Sequence, residues 1–188
     1  MKIGCAGAGG TGKTTVLKLL AKSLHEPVLP SVVRGVFKEF GIKSEDDQLG
    51  KDSEFLWTLQ RVILERKLER DLVTPEFVCD RTPLDHWVYC LFRCNAHLSG
   101  TEEFAYWENE IRDALRGYDV IFYFPTGLFT PGDDGMRVQS AAYHAMIDSM
   151  LRGYLERWRV PYFPMNFEGP PLRADVMMSE ITRLRVGQ

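Results

Sequence analysis

The sequence has little net charge, and its basic residues do not outnumber its acidic ones. The 23 basic and 26 acidic side chains leave a net charge of −3, with a pI of about 5.8. This balance excludes a global positive field that would draw the whole protein onto nucleic acid, but it does not exclude a local basic cleft. The charge balance therefore disfavours nucleic acid as a partner without excluding it.

Cysteine is scarce, and its four positions lack the spacing of a disulfide framework or a zinc site. Cys5 and Cys79 lie in apolar runs that are typical of buried strands, where cysteine acts as a small hydrophobic residue. Cys90 and Cys94 lie one helical turn apart, a spacing for which metal binding is the minor alternative.

Long apolar runs are also lacking. The chain has no stretch of 18 apolar residues and no charged-then-apolar leader at its start. Together with the cysteine pattern, this predicts a cytoplasmic protein in a reducing compartment, with no membrane partner.

Strand-like and helix-like segments alternate along all 188 residues. Amphipathic helices separate short apolar strands, and a short terminal helix closes the chain. The strands are predicted near residues 2–6, 28–29, 77–80, 120–124 and 160–165. This alternation predicts an α/β fold in a single domain, 1–188, with a parallel sheet covered by helices on both faces. In such a sheet, ligands bind beyond the carboxyl ends of the strands.

The strongest motif is a complete phosphate-binding loop, Gly-x-x-x-x-Gly-Lys-Thr, between the first strand and the first helix. Its glycines allow the backbone N–H groups to turn inward around a phosphate. We expect Lys13 to reach the β- and γ-phosphates of ATP, Thr14 to ligate Mg²⁺, and Thr15 to contact the α-phosphate. The alternative, a glycine-rich turn that binds nothing, is disfavoured because the motif and its context are both complete. The predicted nucleotide-binding residues are Gly7, Ala8, Gly9, Gly10, Thr11, Gly12, Lys13, Thr14 and Thr15.

Further absences narrow the class of P-loop protein. No Asn-Lys-x-Asp motif, which reads guanine, occurs in the chain, and this disfavours a Ras-like GTPase. The chain is too short for a ring ATPase with its extra helical subdomain. The strand at residues 120–124 is followed by Pro125, and lacks the acidic end that is typical of ring and transporter ATPases.

A carboxylate, Asp80, ends the buried strand at residues 77–80. It could organise the magnesium shell or accept a proton from an attacking hydroxyl. Arg81 beside it suits a planar grip on a phosphate. The structural alternatives are an Asp–Arg pair without a ligand, or Asp80 as the N-cap of the next helix.

The loop at residues 127–138, rich in Gly, Pro and Asp, is the predicted lid. Arg137 at its far edge could swing onto the transferring phosphoryl group, although turn chemistry explains the rest of the loop.

On the helix predicted from residue 53 to residue 72, Gln60 could hydrogen-bond a base edge. Arg34 could contact an acceptor phosphate or sugar. A solvent-facing side chain is the alternative for Gln60 and Arg34.

The glycine loop, the Cys-Asp-Arg-Thr-Pro-Leu-Asp-His run at residues 79–86 and the Asp-Asp-Gly-Met-Arg run at residues 133–137 together resemble a known group. The sequence is similar to small AAA-type, kinase-like P-loop proteins of bacteria and phages, which are related to ribosylnicotinamide kinase and to thymidylate and deoxynucleoside kinases. The resemblance covers nearly the whole chain and implies a P-loop fold with a five-stranded parallel sheet and a short lid. It also implies that Asp80 activates the acceptor hydroxyl or organises Mg²⁺, that Arg81 lies near the phosphates, and that Arg137 is the lid arginine.

The sequence departs from that group in two places. Many deoxynucleoside kinases carry a glutamate where Asp80 stands, and thymidylate kinases carry a longer, arginine-rich lid in place of one with Arg137 alone. In similar kinases the helix that carries Gln60 lines the acceptor site. The identity of the acceptor is therefore the open part of the prediction.

The sequence thus predicts a magnesium-dependent enzyme that transfers the γ-phosphoryl group of ATP to a nucleoside or a nucleoside monophosphate. The predicted catalytic residues are Lys13, Asp80, Arg81 and Arg137. The predicted substrate-binding residues are Arg34, Gln60, Asp80 and Arg81, and the predicted magnesium ligands are Thr14 and Asp80.

Three other functions remain as alternatives to this prediction. They are a kinase acting on a hydroxyl of nucleic acid, a regulatory protein that binds or hydrolyses ATP as a switch, and a degenerate kinase that serves as an interaction module. A homodimer is a further possibility.

Overall fold

The computed structural model describes residues 1–98, 100–128, 138 and 140–187, and strands and helices alternate within them. The strands are β1 (Lys2–Ala6), β2 (Val28–Leu29), β3 (Phe77–Asp80), β4 (Val120–Tyr123) and β5 (Phe163–Pro164). The helices are α1 (Lys13–Leu20), α2 (Val33–Glu39), α3 (Ser53–Val73), α4 (Pro83–Leu98), α5 (Glu102–Leu115), α6 (Ala141–Arg157) and α7 (Pro170–Val186), with a 3₁₀ turn at Glu45–Gln48. Within this part of the chain, no helix is long and apolar enough to cross a membrane.

The five strands of the described residues pair in parallel in one sheet, in the order β2-β3-β1-β4-β5. The central strand β1 has β3 on one side and β4 on the other, with Cys5 opposite both Asp80 and Phe122. The loops that follow β1, β3 and β4 therefore leave the same edge of the sheet, where ligands bind in folds of this type. The predicted five-stranded parallel α/β fold is confirmed.

Alternate strand residues face two separate cores, because successive side chains of a strand point to opposite faces. Ile3 and Phe122 pack with apolar residues of α1 and α7 on one face. Ile121 and Tyr123 pack with apolar residues of α3, α4, α5 and α6 on the other face. Burial on both faces explains why the central strands carry continuous apolar runs rather than an alternating pattern.

The last strand is shorter than predicted. The pattern indicates a strand at residues 160–165, whereas β5 contains only Phe163 and Pro164. Val160 instead donates its backbone N–H to Leu155 O at 2.9 Å, which closes the end of α6. Prolines at positions 161 and 164 lack the N–H that a longer ladder needs.

The terminal helix is longer than predicted, with 17 residues in α7. Pro170 occupies the start of the helix, where proline is tolerated because that N–H has no intrahelical partner. Ala174, Met177 and Ile181 are buried in the core shared with α1. Their spacing is helical, but the polar residues between them hide the apolar pattern in the sequence.

A buried ion pair joins α3 to the amino end of the sheet. The Lys67 side chain is fully buried, and its Nζ donates to Asp71 Oδ1 at 2.8 Å. Tyr118 donates its hydroxyl to the second oxygen of the same carboxylate. Lys2 Nζ donates to the Asp71 backbone carbonyl at 2.6 Å. Loss of the Asp71 carboxylate would leave a buried ammonium without its partner.

We expect Asp71→Asn to lower the free energy of unfolding by about 3–5 kcal/mol, because Lys67 would keep its charge in an apolar surrounding. The double variant Lys67→Met/Asp71→Asn should lose less than the sum of the two single losses, because the charge is removed as well. Urea unfolding followed by circular dichroism measures these values. As a control, Asp113→Asn breaks an exposed pair with Arg116 and should leave stability nearly unchanged. A loss below about 1 kcal/mol for Asp71→Asn would contradict the role of the pair.

Candidate active site

The glycine loop between β1 and α1 has the backbone conformation that its motif predicts. Gly7, Gly10 and Gly12 adopt positive φ angles of 148°, 78° and 88°. A Cβ added at Gly7 would lie 2.4 Å from the Phe124 backbone oxygen, so the loop has no room for a side chain there. The loop leads into the N-terminus of α1, where unpaired N–H groups and the helix dipole favour an anion.

The Lys13 side chain folds back over this loop. Its Nζ donates to Gly7 O and to Ala8 O, each at 2.7 Å, and to Thr11 Oγ1 at 3.1 Å. Burial, and to a lesser degree the positive charge of Arg81, lower the pKa of Lys13 from 10.5 to about 8. The loop oxygens thus hold a buried ammonium whose desolvation costs free energy. A bound anion would reduce that cost.

Thr14 and Asp80 meet at the carboxyl ends of β1 and β3. The Thr14 hydroxyl donates to Asp80 Oδ2, and the Asp80 side chain is mostly buried. A hydroxyl and a carboxylate are the oxygen donors that Mg²⁺ prefers, and phosphate oxygens and water commonly complete its octahedron. The two predicted ligands therefore fit a magnesium–nucleotide complex.

The sequence leaves metal binding by the two cysteines of α4 as a minor alternative. Cys90 and Cys94 are both buried. Throughout the described residues, no group of three or more His, Cys, Asp and Glu side chains could hold a metal ion. The minor alternative for this pair is therefore not supported.

Arg81, the residue after β3, is a fixed cation beside the glycine loop. Its φ of 81° is unusual for a residue with a side chain, and its backbone N–H donates to Cys5 O at 3.0 Å. The guanidinium carbon lies 4.8 Å from the centre of the Tyr89 ring. Burial opposes the charge, but the Tyr89 hydroxyl and the Asp85 and Glu45 carboxylates outweigh burial and raise the pKa of this arginine above its ordinary value.

Two residues of α4 hold the glycine loop, and sequence reasoning assigned a role to neither. Asp85 Oδ1 accepts from Gly7 N at 2.8 Å, and the Tyr89 hydroxyl accepts from Gly9 N at 3.0 Å. One helical turn separates the two side chains, so both face the loop. Asp85 Oδ2 also accepts from the Thr82 N–H and hydroxyl, at 2.8 Å and 2.7 Å. The Thr-x-x-Asp spacing, which is typical of a helix N-terminus, is the signal that could have identified Asp85.

A second set of polar side chains leads from α3 toward the glycine loop. Gln60 is buried, and its Nε2 donates to Gln48 Oε1 at 3.1 Å. Gln48 Nε2 in turn lies 3.5 Å from the Glu45 backbone oxygen. Glu45 Oε2 lies 3.7 Å from a terminal nitrogen of Arg93, which donates to the Tyr143 hydroxyl at 3.2 Å. We call these five residues the polar cluster.

The polar cluster reaches the glycine loop through Tyr89. The ring centres of Tyr143 and Tyr89 lie 6.3 Å apart, and Tyr89 is bonded to Gly9. The neighbouring His144 also packs on the loop, because a Cβ at Gly9 would lie 3.2 Å from its Cε1. The 3₁₀ turn, α3, α4 and α6 thus supply one continuous set of polar and aromatic groups beside the loop.

The structure brings four of the predicted site residues together. Lys13, Thr14, Asp80 and Arg81 lie at one edge of the sheet, because the carboxyl ends of β1 and β3 are neighbours there. Thr15 is exposed in the first turn of α1, a position compatible with its predicted phosphate contact.

The other predicted residues differ in their surroundings. Gln60 is 3% exposed and belongs to the polar cluster, so the solvent-facing alternative is wrong. Arg34 is exposed on α2, outside the polar cluster. Arg137 and most of the predicted lid at residues 127–138 lie outside the described residues.

Comparison with known proteins places this site in a family of nucleotide-binding domains. A family model described as an AAA domain matches residues 2–170. No protein of curated function matches the chain by sequence. The match confirms the AAA-type P-loop family predicted from the sequence, and the solved structures described below share its fold.

Three solved structures illustrate the likeness of fold. The deoxyadenosine kinase of M. mycoides with bound dATP has a TM-score of 0.65 and 14% identity, over 97% of this chain and 100% of that chain. A NadR protein in complex with NR has a TM-score of 0.60 and 18% identity, over 89% of this chain and 44% of that chain. The shikimate kinase of Acinetobacter baumannii in complex with shikimate has a TM-score of 0.51 and 14% identity, over 96% and 93%. At these identities the likeness shows the shared fold alone.

The lowered pKa of Lys13 gives a pH dependence with a defined sign. In the unfolded chain the lysine keeps its ordinary pKa of 10.5, and in the folded chain its pKa is about 8. The unfolded chain therefore binds more protons between these values, and this group makes the folded state more stable as the pH rises through that window. ATP binding needs the charged form, so ATP affinity should be constant below pH 8 and fall toward tenfold per pH unit above it.

Calorimetric titration with ATP in excess EDTA, from pH 7 to pH 9.5, measures this dependence without a metal ion. Lys13→Met should weaken binding and flatten the slope above pH 8. Lys18→Met, an exposed position on the same helix, should keep the slope of the natural protein. If Lys13→Met retains the slope, another group is responsible for it.

Proposed function

This chain belongs to the AAA-domain family, and from that premise we propose that it transfers the γ-phosphoryl group of ATP to a small acceptor in a magnesium-dependent reaction. One observation carries the proposal, the hydrogen bond between Thr14 and Asp80 at the carboxyl ends of β1 and β3. It joins the two protein oxygens that a magnesium–nucleotide complex requires. Two cations, Lys13 and Arg81, flank that pair and suit the charge of a triphosphate.

Catalysis depends on positioning and charge neutralisation, because phosphoryl transfer passes through a loose transition state. Lys13 exchanges its loop carbonyls for the β- and γ-phosphates. Arg81, fixed against the Tyr89 ring, neutralises charge on the transferring group. Thr14 and Asp80 would hold Mg²⁺, which would supply neutralisation of the phosphate charge. Arg137 is the proposed lid arginine.

The contact with Thr14 favours one of the two predicted roles of Asp80. A carboxylate that accepts from the threonine ligand faces the metal site, whereas a general base must face the acceptor hydroxyl. We therefore assign Asp80 to the magnesium site. Glu45, the carboxylate of the polar cluster, is the candidate for orienting the acceptor.

For the acceptor, we propose a nucleoside in preference to a nucleoside monophosphate. The Gln48 and Gln60 amides can hydrogen-bond the edge of a base, and the Tyr143 ring can pack against one. The arginine of the polar cluster, Arg93, lies 3.7 Å from Glu45, so its charge is largely balanced. A monophosphate would add between one and two negative charges and require cations that are not already paired.

Asp80→Asn tests the magnesium site. We expect kcat to fall by about 10²–10³-fold, as when one preorganised electrostatic group is lost. The Mg²⁺ concentration that gives half-maximal activity should rise, while ATP affinity in EDTA stays within about threefold of the natural protein because the loop contacts persist. Steady-state kinetics across a magnesium series measures both values. Asp80→Glu, which keeps the carboxylate, should recover part of the activity.

A merely structural Asp80 would give a different pattern. In that case Asp80→Asn would lower thermal stability without changing the magnesium requirement of the folded enzyme. Asp113→Asn, an exposed carboxylate on α5, serves as the control and should change neither value.

A panel of acceptors with labelled ATP tests the acceptor proposal. It contains nucleosides, nucleoside monophosphates, ribosylnicotinamide and oligonucleotides. We expect kcat/KM for the best nucleoside to exceed that for its monophosphate by about tenfold or more, a difference of about 1.4 kcal/mol. Glu45→Gln should shift the ratio toward the monophosphate, because Arg93 loses its partner. Asp46→Asn, the exposed neighbouring carboxylate, should leave the ratio unchanged.

The same panel identifies the competing functions. A switch protein would consume or bind ATP without stimulation by any acceptor. A kinase of nucleic acid would label oligonucleotides and bind them in a salt-sensitive way.

A further inference from the structure

Arg173 joins three loops at the carboxyl edge of the sheet. It lies in the first turns of α7, and its side chain is fully buried. One terminal nitrogen donates to Thr11 O in the glycine loop at 2.7 Å, and its Nε donates to Phe167 O in the loop between β5 and α7 at 2.7 Å. The guanidinium carbon lies 5.6 Å from the centre of the Phe124 ring, directly after β4.

Packing alone does not account for an arginine at this position. Burying a guanidinium is costly, and an apolar side chain of similar volume often stabilises a fold as well or better. The two contacts with Thr11 and Phe167 are charge-assisted bonds to backbone oxygens. Their geometric effect is to fix the distance between two loops that are more than 150 residues apart in sequence.

The loop that contains Phe167 follows β5 at the carboxyl edge of the sheet, where ligands bind in folds of this type. The strand order places β3, with Asp80, on one side of β1, and β4 and β5 on the other. The polar cluster belongs to the layer of α3, α4 and α6, on the face of the sheet opposite α1 and α7. A nucleotide whose phosphates lie on the glycine loop can extend along this edge toward the loop after β5, which Arg173 ties to Thr11.

We propose that Arg173 is a positioning residue that couples the glycine loop to the loop between β5 and α7, so that the phosphates and the nucleoside of ATP are bound as one unit. This inference rests on the proposed use of ATP. It does not depend on which acceptor receives the phosphoryl group. A guanidinium can hold both carbonyls because its donors are fixed in different directions of one plane, whereas a lysine ammonium lacks this rigid fork.

The test compares the binding of ATP with that of inorganic tripolyphosphate, which has phosphates but no nucleoside. Arg173→Met should weaken ATP binding by about 10- to 100-fold, as expected for the loss of charge-assisted hydrogen bonds. Tripolyphosphate binding should weaken by much less, about threefold, so the preference for ATP shrinks. Isothermal titration calorimetry gives the dissociation constants of ATP and of tripolyphosphate for the natural protein and for Arg173→Met. The temperature is one at which both proteins are fully folded.

Kinetics of the same variants separates positioning from structural support. Arg173→Met should raise KM for ATP while KM for the acceptor changes less than about threefold, because the polar cluster is untouched. Arg173→Lys should restore part of the ATP affinity. Arg183→Met, an exposed position on the same helix whose partner is Glu180, should match the natural protein in every measurement.

Two outcomes would overturn the proposal. Equal losses for ATP and tripolyphosphate would mean that Arg173 supports only the glycine loop. An unchanged ATP dissociation constant with a lowered melting temperature would mean that the residue is structural. If Arg173→Met does not fold, Arg173→Lys takes its place. The ratio of its dissociation constants for ATP and tripolyphosphate is then compared with that of the natural protein, and the same two outcomes would overturn the proposal. Failure of the proposed function appears separately, as ATP binding by the natural protein without transfer to any acceptor.

Discussion

The glycine loop can bind a triphosphate only if its backbone is held in place before the phosphate arrives, and most of the polar contacts near the site serve that constraint. From one face of the sheet, α4 holds Gly7 through Asp85 and Gly9 through Tyr89. From the other face, α7 holds Thr11 through Arg173. A loop fixed from both sides loses little conformational entropy on binding, so more of the interaction energy is available for catalysis.

Fixing the loop also concentrates positive charge beside it. The charge of Arg81 contributes to the lowered pKa of Lys13, and the carboxylates of Asp85 and Asp80 partly oppose that effect. Arg81 itself stays charged because nearby negative groups outweigh its burial. The site thus holds two cations whose mutual repulsion is relieved when a polyanion binds between them, and this is a source of affinity that an exposed lysine would not provide.

The sequence predicted the parts of the site that local rules determine. The glycine motif specified the loop, and the rule that parallel strands end at one edge brought Asp80 to Thr14. Asp85 and Tyr89 were missed, because one helical turn on α4 looks like an ordinary buried face in sequence. Arg173 was missed for a different reason. Its partner Thr11 lies 162 residues away, and no periodic pattern encodes a contact of that kind.

In the proposed function, donor and acceptor depend on different side chains around the glycine loop. The helices α1 and α7 pack on the face from which Arg173 holds Thr11 of the phosphate loop. The polar cluster, from Gln60 to Tyr143, belongs to the opposite layer of helices and reaches the loop at Gly9 through Tyr89. A change confined to the polar cluster would leave Asp85 and Tyr89 in place, so it would alter the proposed acceptor site without removing the bonds that hold the glycine loop. Kinases named for substrates as different as deoxyadenosine and shikimate share the fold at low sequence identity. If this chain acts as proposed, the residues that choose its acceptor lie in the polar cluster, where an amide pair and a balanced Arg93–Glu45 pair favour an uncharged, hydrogen-bonding ring.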